Sequence, residues 1–291
     1  LSQVAAGLKL KNDLSEDDLA WLSTHAVDVQ VVTSRPIVAP LLTGSSESPV
    51  YAVYYDVPAG TERRGSVLVC PPYGHEYVRT HRAITRLCES LAVAGYCALK
   101  FDYFGTGDSS GDSGAGSIER WVDDVLGTAE ELERRSGVNP HIVGLRFGAM
   151  IAMAAPLRVK KAVWVDPVLS GKAYVEDLEC LERDLCALNQ SLVIPENSTD
   201  LVGMPWPATL RTQVRNHSIA TAKQLIIDEQ TCVLSRDYKD VDSNSLRRTL
   251  GESVMLRPEF ETPWTQLDSS AAERISNEVI ADISAAITER S

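Results

Sequence analysis

The sequence predicts an α/β fold: a mostly parallel, twisted sheet with helices on both faces and a helical lid inserted late in the chain. Three observations predict it. Short continuous apolar runs alternate with segments whose apolar residues recur at helical spacing. Gly or Pro stands at the points where those helical patterns stop. The alternation then breaks once, from Pro167 to about Glu229, and no strand pattern returns until Thr231.

In chain order, residues 29–34 and 50–57 read as the two strands of an opening hairpin, because β-branched and aromatic residues cluster there between breaks at 36–49 and 58–60. Ser66-Val67-Leu68-Val69-Cys70 is too short for a buried helix and is closed by Pro71-Pro72, which is how a central parallel strand reads. After a loop at 73–77, Ile84, Leu87, Leu91 and Ala94 fall on one helix face, Gly95 ends the helix, and 96–101 is the next strand. A Gly-, Ser- and Asp-rich loop at 102–116 leads to Ser117, a helix cap without the acidic third residue of a capping box. Ile118, Trp121, Val122, Val125, Ala129 and Leu132 then mark a second helix, followed by strand 141–145, helix 147–155 and strand 161–165.

In the interrupting stretch Tyr174, Leu178, Leu181, Leu185 and Leu188 make one narrow apolar stripe, read as a lid helix, with homodimerisation through the stripe as the alternative. Pro207 suits the first turn of another short helix. Strand 231–235, helix 243–250, strand 253–256 and a helix carrying Ile275, Val279, Ile283 and Ile287 complete the layout. The expected organisation is an N-terminal segment at 1–28, a core at 29–166 and 230–291, and a lid at 167–229.

Composition narrows the function classes. The 291 residues are 44% hydrophobic, enough for a large single core. Twenty-eight basic against forty acidic residues, net −12, argue against nucleic acid or anionic lipid as partner. No apolar run is long enough for a membrane helix, and a cytoplasmic location is expected. The six cysteines show neither C-x-x-C pairs nor metal-ligand spacing, so reduced, buried thiols are expected and no metal or other cofactor is called for.

The most informative motif is Gly144-Leu145-Arg146-Phe147-Gly148-Ala149, placed directly after a strand. It is a G-x-S-x-G nucleophile elbow in every respect but its apex. Small residues stand two before and two after the apex because the strand-to-helix turn is tight, yet the apex itself is arginine. A guanidinium is not deprotonated in proteins and is no nucleophile, so an acyl-enzyme at this position is excluded. A base is missing as well: the loop after the last strand, 257–264, holds no histidine, and none follows His217. Asp166, Asp237 and Asp240 follow strands and are plausible acids.

Together with Cys70-Pro71-Pro72-Tyr73-Gly74-His75-Glu76, Arg79 and Arg82, with Phe101-Asp102-Tyr103-Phe104-Gly105-Thr106-Gly107-Asp108-Ser109, and with Pro263-Trp264, this motif gives the chain a resemblance to the α/β-hydrolases. It resembles their serine aminopeptidase-like branch, and within it the exosortase-associated hydrolases. That group's pattern tolerates arginine at the elbow and has a Pro-Phe-Trp-like segment where the histidine loop would stand; His75 departs from the acidic residue expected beside Glu76. The resemblance implies an α/β-hydrolase fold over about 50–287.

In open parallel sheets the crevice lies beyond the carboxyl ends of the strands, so Tyr73, Gly74, His75, Glu76, Asp102, Arg146, Asp166, Asp237 and Trp264 are expected to face one cavity. Backbone amides in the 73–76 loop and at Phe147 are the expected oxyanion donors. His75 and Glu76 are the acid/base candidates. Arg146 has two readings: a fork for a substrate anion, or a plug paired with Asp102 or Asp166. The leading expectation is an atypical enzyme acting on a small-molecule or carrier-bound acyl or carbonyl substrate of specialised metabolism by non-covalent acid/base chemistry, giving epimerisation, cyclisation or elimination. The alternatives are a non-catalytic binding or scaffold protein, and an ester, thioester or amide hydrolase with a non-standard nucleophile.

Overall fold

The computed structural model describes residues 35–188, 199–218, 224–229, 231–234, 254–257 and 277–288. The N-terminal segment, the strand expected at 29–34, the helix expected at 243–250, Asp237, Asp240 and Trp264 lie outside the described residues.

Eight strands form the main sheet: β1 (Ile37–Thr43), β2 (Val50–Asp56), β3 (Gly65–Cys70), β4 (Tyr96–Phe101), β5 (His141–Leu145), β6 (Ala162–Val165), β7 (Thr231–Leu234) and β8 (Val254–Arg257). Their spatial order is β1-β2-β4-β3-β5-β6-β7-β8, antiparallel at β1-β2 and β2-β4 and parallel from β4 to β8. The six helices among the described residues are α1 (His75–Val93), α2 (Ile118–Ser136), α3 (Phe147–Ala154), α4 (Gly171–Leu188), α5 (Ala208–Arg215) and α6 (Asn277–Thr288).

The strand period explains the layering. Along β3, Leu68 and Cys70 join one apolar cluster with α2, α3, α4 and α5, whereas Val67 and Val69 join the other with α1 and α6. Both faces of the central strands are therefore buried, which is why those strands are mostly apolar. Helix α3, Phe-Gly-Ala-Met-Ile-Ala-Met-Ala, has no polar face and is buried all round. Helix α2 begins where Ser117 accepts the N–H of Arg120 (3.2 Å), as its sequence predicted.

Three expectations need correction. The hairpin partner of β2 is 37–43, inside the Pro- and Ser-rich stretch expected to be a break; Pro40 is accommodated because β1 is the edge strand among the described residues, and an edge strand tolerates a missing N–H. His75 and Glu76 belong to the first turn of α1 and not to a loop, since the helix starts after Gly74 (φ 69°, ψ −141°) with no Ser, Thr, Asp or Asn cap to announce it. The thiols are not uniformly buried: Cys180 is exposed and Cys186 half-buried on α4, while Cys70, Cys88, Cys97 and Cys232 are buried. On α4 the apolar stripe is buried at Tyr174 and Leu178, only half-buried at Leu181 and Leu185, and exposed at Leu188.

Between β6 and β7, α4 packs closely on α5: a β-carbon on Gly171 would overlap the Val214 carbonyl, and Arg215 pairs with Glu179 at 2.5 Å. Two short strand pairs flank them, 200–201 with 204–205, and 226–227 with 158–159.

Candidate functional site

The turn from β5 into α3 sets the site. Arg146 stands at its tip with φ 50° and ψ −120°, a region that a residue with a β-carbon rarely adopts. The turn is held from both sides, by the Arg146 N–H donating to Val165 O (2.9 Å) and by the Arg146 carbonyl accepting from Ala149 N (3.1 Å). The two glycines are required by contact: a β-carbon on Gly144 would come within 2.6 Å of Ala149 Cα, and one on Gly148 would overlap the carbonyl oxygens of Pro71 and Cys70. The elbow expected from the motif is present, with an arginine in the apical conformation.

The guanidinium points into a set of carboxylates. Its Nε donates to Glu76 Oε1 at 2.9 Å, and its Nη1 donates to Asp166 Oδ2 at 3.0 Å and to the Asp166 carbonyl at 3.2 Å. Glu76 is 2% exposed, and its second oxygen accepts the Tyr174 hydroxyl at 3.0 Å. The Arg146 guanidinium also lies over the Tyr174 ring, 5.6 Å from its centroid. Burial by itself would lower the arginine's pKa, but Glu76 and Asp166 outweigh it and raise the value, so the cation is locked in. Tyr174 is pushed well above its ordinary range, first by burial and then by Glu76. Asp166 is itself at φ 45°, its N–H donating to Leu234 O at 2.7 Å. Three non-glycine residues among those described have positive φ, and two of them, Arg146 and Asp166, are this ion pair.

Beside the cluster the crevice is filled with rings. Tyr73, Phe147, Tyr174, Trp121 and Trp206 are each at most 4% exposed, with centroid separations from 4.6 Å (Tyr73 to Trp121) to 6.0 Å (Tyr174 to Trp206). The Tyr73 hydroxyl donates to Pro205 O at 2.6 Å, tying the 73–74 turn to the 200–205 hairpin. His75 is buried at the start of α1. Cys70 ends β3 fully buried, and burial pushes its thiol far up, away from thiolate chemistry.

Asp102 is not a partner of Arg146, contrary to one of the two expected pairings. It accepts the Tyr77 hydroxyl and the N–H of Asp108 (3.0 Å), while its carbonyl accepts from Ser109 Oγ (2.5 Å). Ser109 is thereby a turn residue. Asp102 instead lines a cavity of about 100 Å³ with Pro71, Pro72, Tyr73, Gly74, Tyr77, Tyr103, Thr106, Met204 and Pro205 among its walls. The structure thus brings Glu76, Arg146 and Asp166 together, and sets Tyr73, Gly74 and Asp102 around a neighbouring space.

Sequence reasoning missed Tyr174 and Tyr77. Tyr174 counted only as an apolar position of the α4 stripe, although a phenol in such a stripe carries a hydroxyl that needs a partner when buried. Tyr77 fell at the end of the supposed loop. Its place one helical turn from Gly74 becomes visible only once α1 is known to start at His75.

No protein-family model and no curated protein matches the sequence. Solved structures do match in shape. Est1E from Butyrivibrio proteoclasticus, solved with ferulic acid bound, is similar with a TM-score of 0.57 at 14% identity, over 86% of this chain and 100% of that one. Alpha/beta hydrolase domain-containing protein 10 from mouse gives 0.54 at 15% identity (86% and 98%). Monoglyceride lipase from Saccharomyces cerevisiae gives 0.54 at 16% identity (88% and 96%). The chain has the α/β-hydrolase fold.

Proposed function

We propose that the protein is a non-hydrolytic, ligand-binding member of the α/β-hydrolase fold, of the arginine-apex branch its sequence resembles. One observation carries this: the apex side chain is a permanent cation whose charge is already matched by Glu76 and Asp166. The same contacts weigh against the acid/base role first expected of Glu76. Glu76 has one oxygen engaged by Arg146 and the other by Tyr174, which makes it a poor base. Arg146, held at 2.9 and 3.0 Å by two carboxylates, is a plug before it is an anion fork.

A serine-directed fluorophosphonate probe, together with a panel of nitrophenyl esters and acyl thioesters, tests the reading. The expected result is no covalent labelling and no turnover above a heat-treated control. Stoichiometric labelling overturns it.

A second reading, acid/base catalysis on an acyl or carbonyl substrate, free or carrier-bound, is favoured by the meeting of two strained residues at the apex, because backbone strain concentrates at functional sites. In that reading His75 is the base and the amides of Gly74 and Phe147 hold the enolate. Solvent-deuterium uptake into a substrate, lost in His75→Ala, would establish it; retention of uptake in that variant would remove it.

A further inference from the structure

The cavity beside the apex has a chemistry of its own. We infer that it is a binding site for a small alkylammonium ion, held by the Asp102 carboxylate beside Tyr73, Tyr77 and Tyr103.

The charge balance comes first. Asp102 is 8% exposed, forms no ion pair with a described lysine or arginine, and is the one charged side chain among the described residues lining the cavity. A buried carboxylate is stable when its oxygens are satisfied or its charge is matched, and here the satisfaction is partial. Oδ2 accepts the Asp108 N–H and is closed over by the loop, where a β-carbon on Gly107 would overlap it. Among the described residues Oδ1 has the Tyr77 hydroxyl alone, and a carboxylate oxygen can take a second donor.

The field around the cavity has the same sign. Burial pushes the Tyr73 hydroxyl up to about 12, with Asp200 adding to the effect; burial also raises Tyr77, with Asp102 and Asp108 adding to it. Such a field, in a chain of net charge −12, attracts cations and repels carboxylates or phosphates.

The walls and the size narrow the class further. Three tyrosines, three prolines and Met204 supply an apolar, π-rich lining, and tyrosine rings attract organic cations. Tyr103 contributes to this wall and is 1% exposed. A dry cavity of roughly 150 Å³ accepts benzene. A space of about 100 Å³ therefore suits a head group of a few heavy atoms. An ammonium gains a charge-assisted hydrogen bond to Asp102 that an alcohol of equal size lacks.

This inference rests on the ligand-binding reading above, and its test separates the two. Calorimetric titration of the full chain with n-butylammonium chloride, n-butanol and sodium butyrate at low salt should show the ammonium binding with a dissociation constant on the order of 1 mM. That binding should be at least tenfold tighter than the other two and weaken as salt is added. Asp102→Asn should lose at least tenfold. Because Asp102 also holds its loop, Met204→Trp serves as the second variant: it fills the space from the 200–205 hairpin, leaves the carboxylate in place and should abolish binding. Equal affinity for butanol or butyrate, absence of butylammonium binding by the wild type, or its persistence in Met204→Trp overturns the inference. Fluorophosphonate labelling, in contrast, would overturn only the non-hydrolytic reading.

Discussion

Substitution of Arg146 separates two energies that the apex combines. Arg146→Ala removes the cation 2.9 Å from Glu76 and 3.0 Å from Asp166, and the two carboxylates respond differently. Asp166, with a quarter of its side chain exposed, recovers water; Glu76, 2% exposed, does not. Breaking a buried pair by removing one partner costs about 3–5 kcal/mol, and the half-open position of Asp166 puts this case near the lower end, about 3 kcal/mol. Arg146→Gly removes the same charge but also relieves the backbone, since φ 50° with ψ −120° suits glycine and strains any other residue by about 1–2 kcal/mol. The ion-pair loss is the larger effect, so both variants are less stable than the parent, with glycine about 1–2 kcal/mol above alanine. That order reverses the usual one, in which glycine is the weaker residue. Urea unfolding followed by far-ultraviolet circular dichroism, with equal m-values, gives the comparison directly. An alanine variant within about 1 kcal/mol of the parent would refute the buried pair as a stabilising element, and a glycine variant no better than alanine would refute the strain.

Two further outcomes follow from the same geometry. Tyr174→Phe keeps the ring on Phe147 (5.8 Å between centroids) but deletes the donor to Glu76 Oε2, and should cost about 1.5–3 kcal/mol in the same unfolding assay; a loss below about 0.5 kcal/mol would mean that the hydroxyl is dispensable. His141, buried at the start of β5 against the Tyr96 ring, has its pKa lowered from 6.5 to about 4, by burial first and then by Lys160 and Lys161. Its folded state binds fewer protons than the unfolded chain between those values, so this contribution is complete above about pH 6.5 and is lost as the pH falls towards 4, amounting to about 3 kcal/mol. His141→Gln should flatten the acid limb of the stability profile over that interval, and an unchanged limb would contradict the assignment.

The layers were legible because the central strands obey a simple constraint. A strand covered on both faces must be apolar along its covered length, and 67–70, 96–99, 142–145 and 162–165 satisfy it in the sequence itself. The elbow was legible for a steric reason, since Gly144 and Gly148 are where side chains would strike Ala149 and the carbonyls of Pro71 and Cys70. Strand β1 was not, because Pro40 argues against a strand except at an edge, and edge position is a property of the assembled sheet. The start of α1 was hidden similarly: a glycine at φ 69° does the work of a cap without the side chain that marks one.

The candidate site was only half legible, and the missing half explains how an arginine can occupy the apex at all. A guanidinium placed on a strained turn and shielded from water is unfavourable unless opposite charge meets it. The matching carboxylates come from the first turn of α1 and the end of β6, and the hydroxyl that satisfies Glu76 comes from α4, 98 positions further along. No local pattern links residues 76, 146, 166 and 174. They are nevertheless one unit, since Glu76 is shared by Arg146 and Tyr174, and a double substitution such as Arg146→Ala with Glu76→Gln should be less costly than the sum of its parts by about 1–3 kcal/mol. Strict additivity would mean that the three side chains touch without depending on one another, and the apex would then be a vacant nucleophile seat with an arginine resting in it.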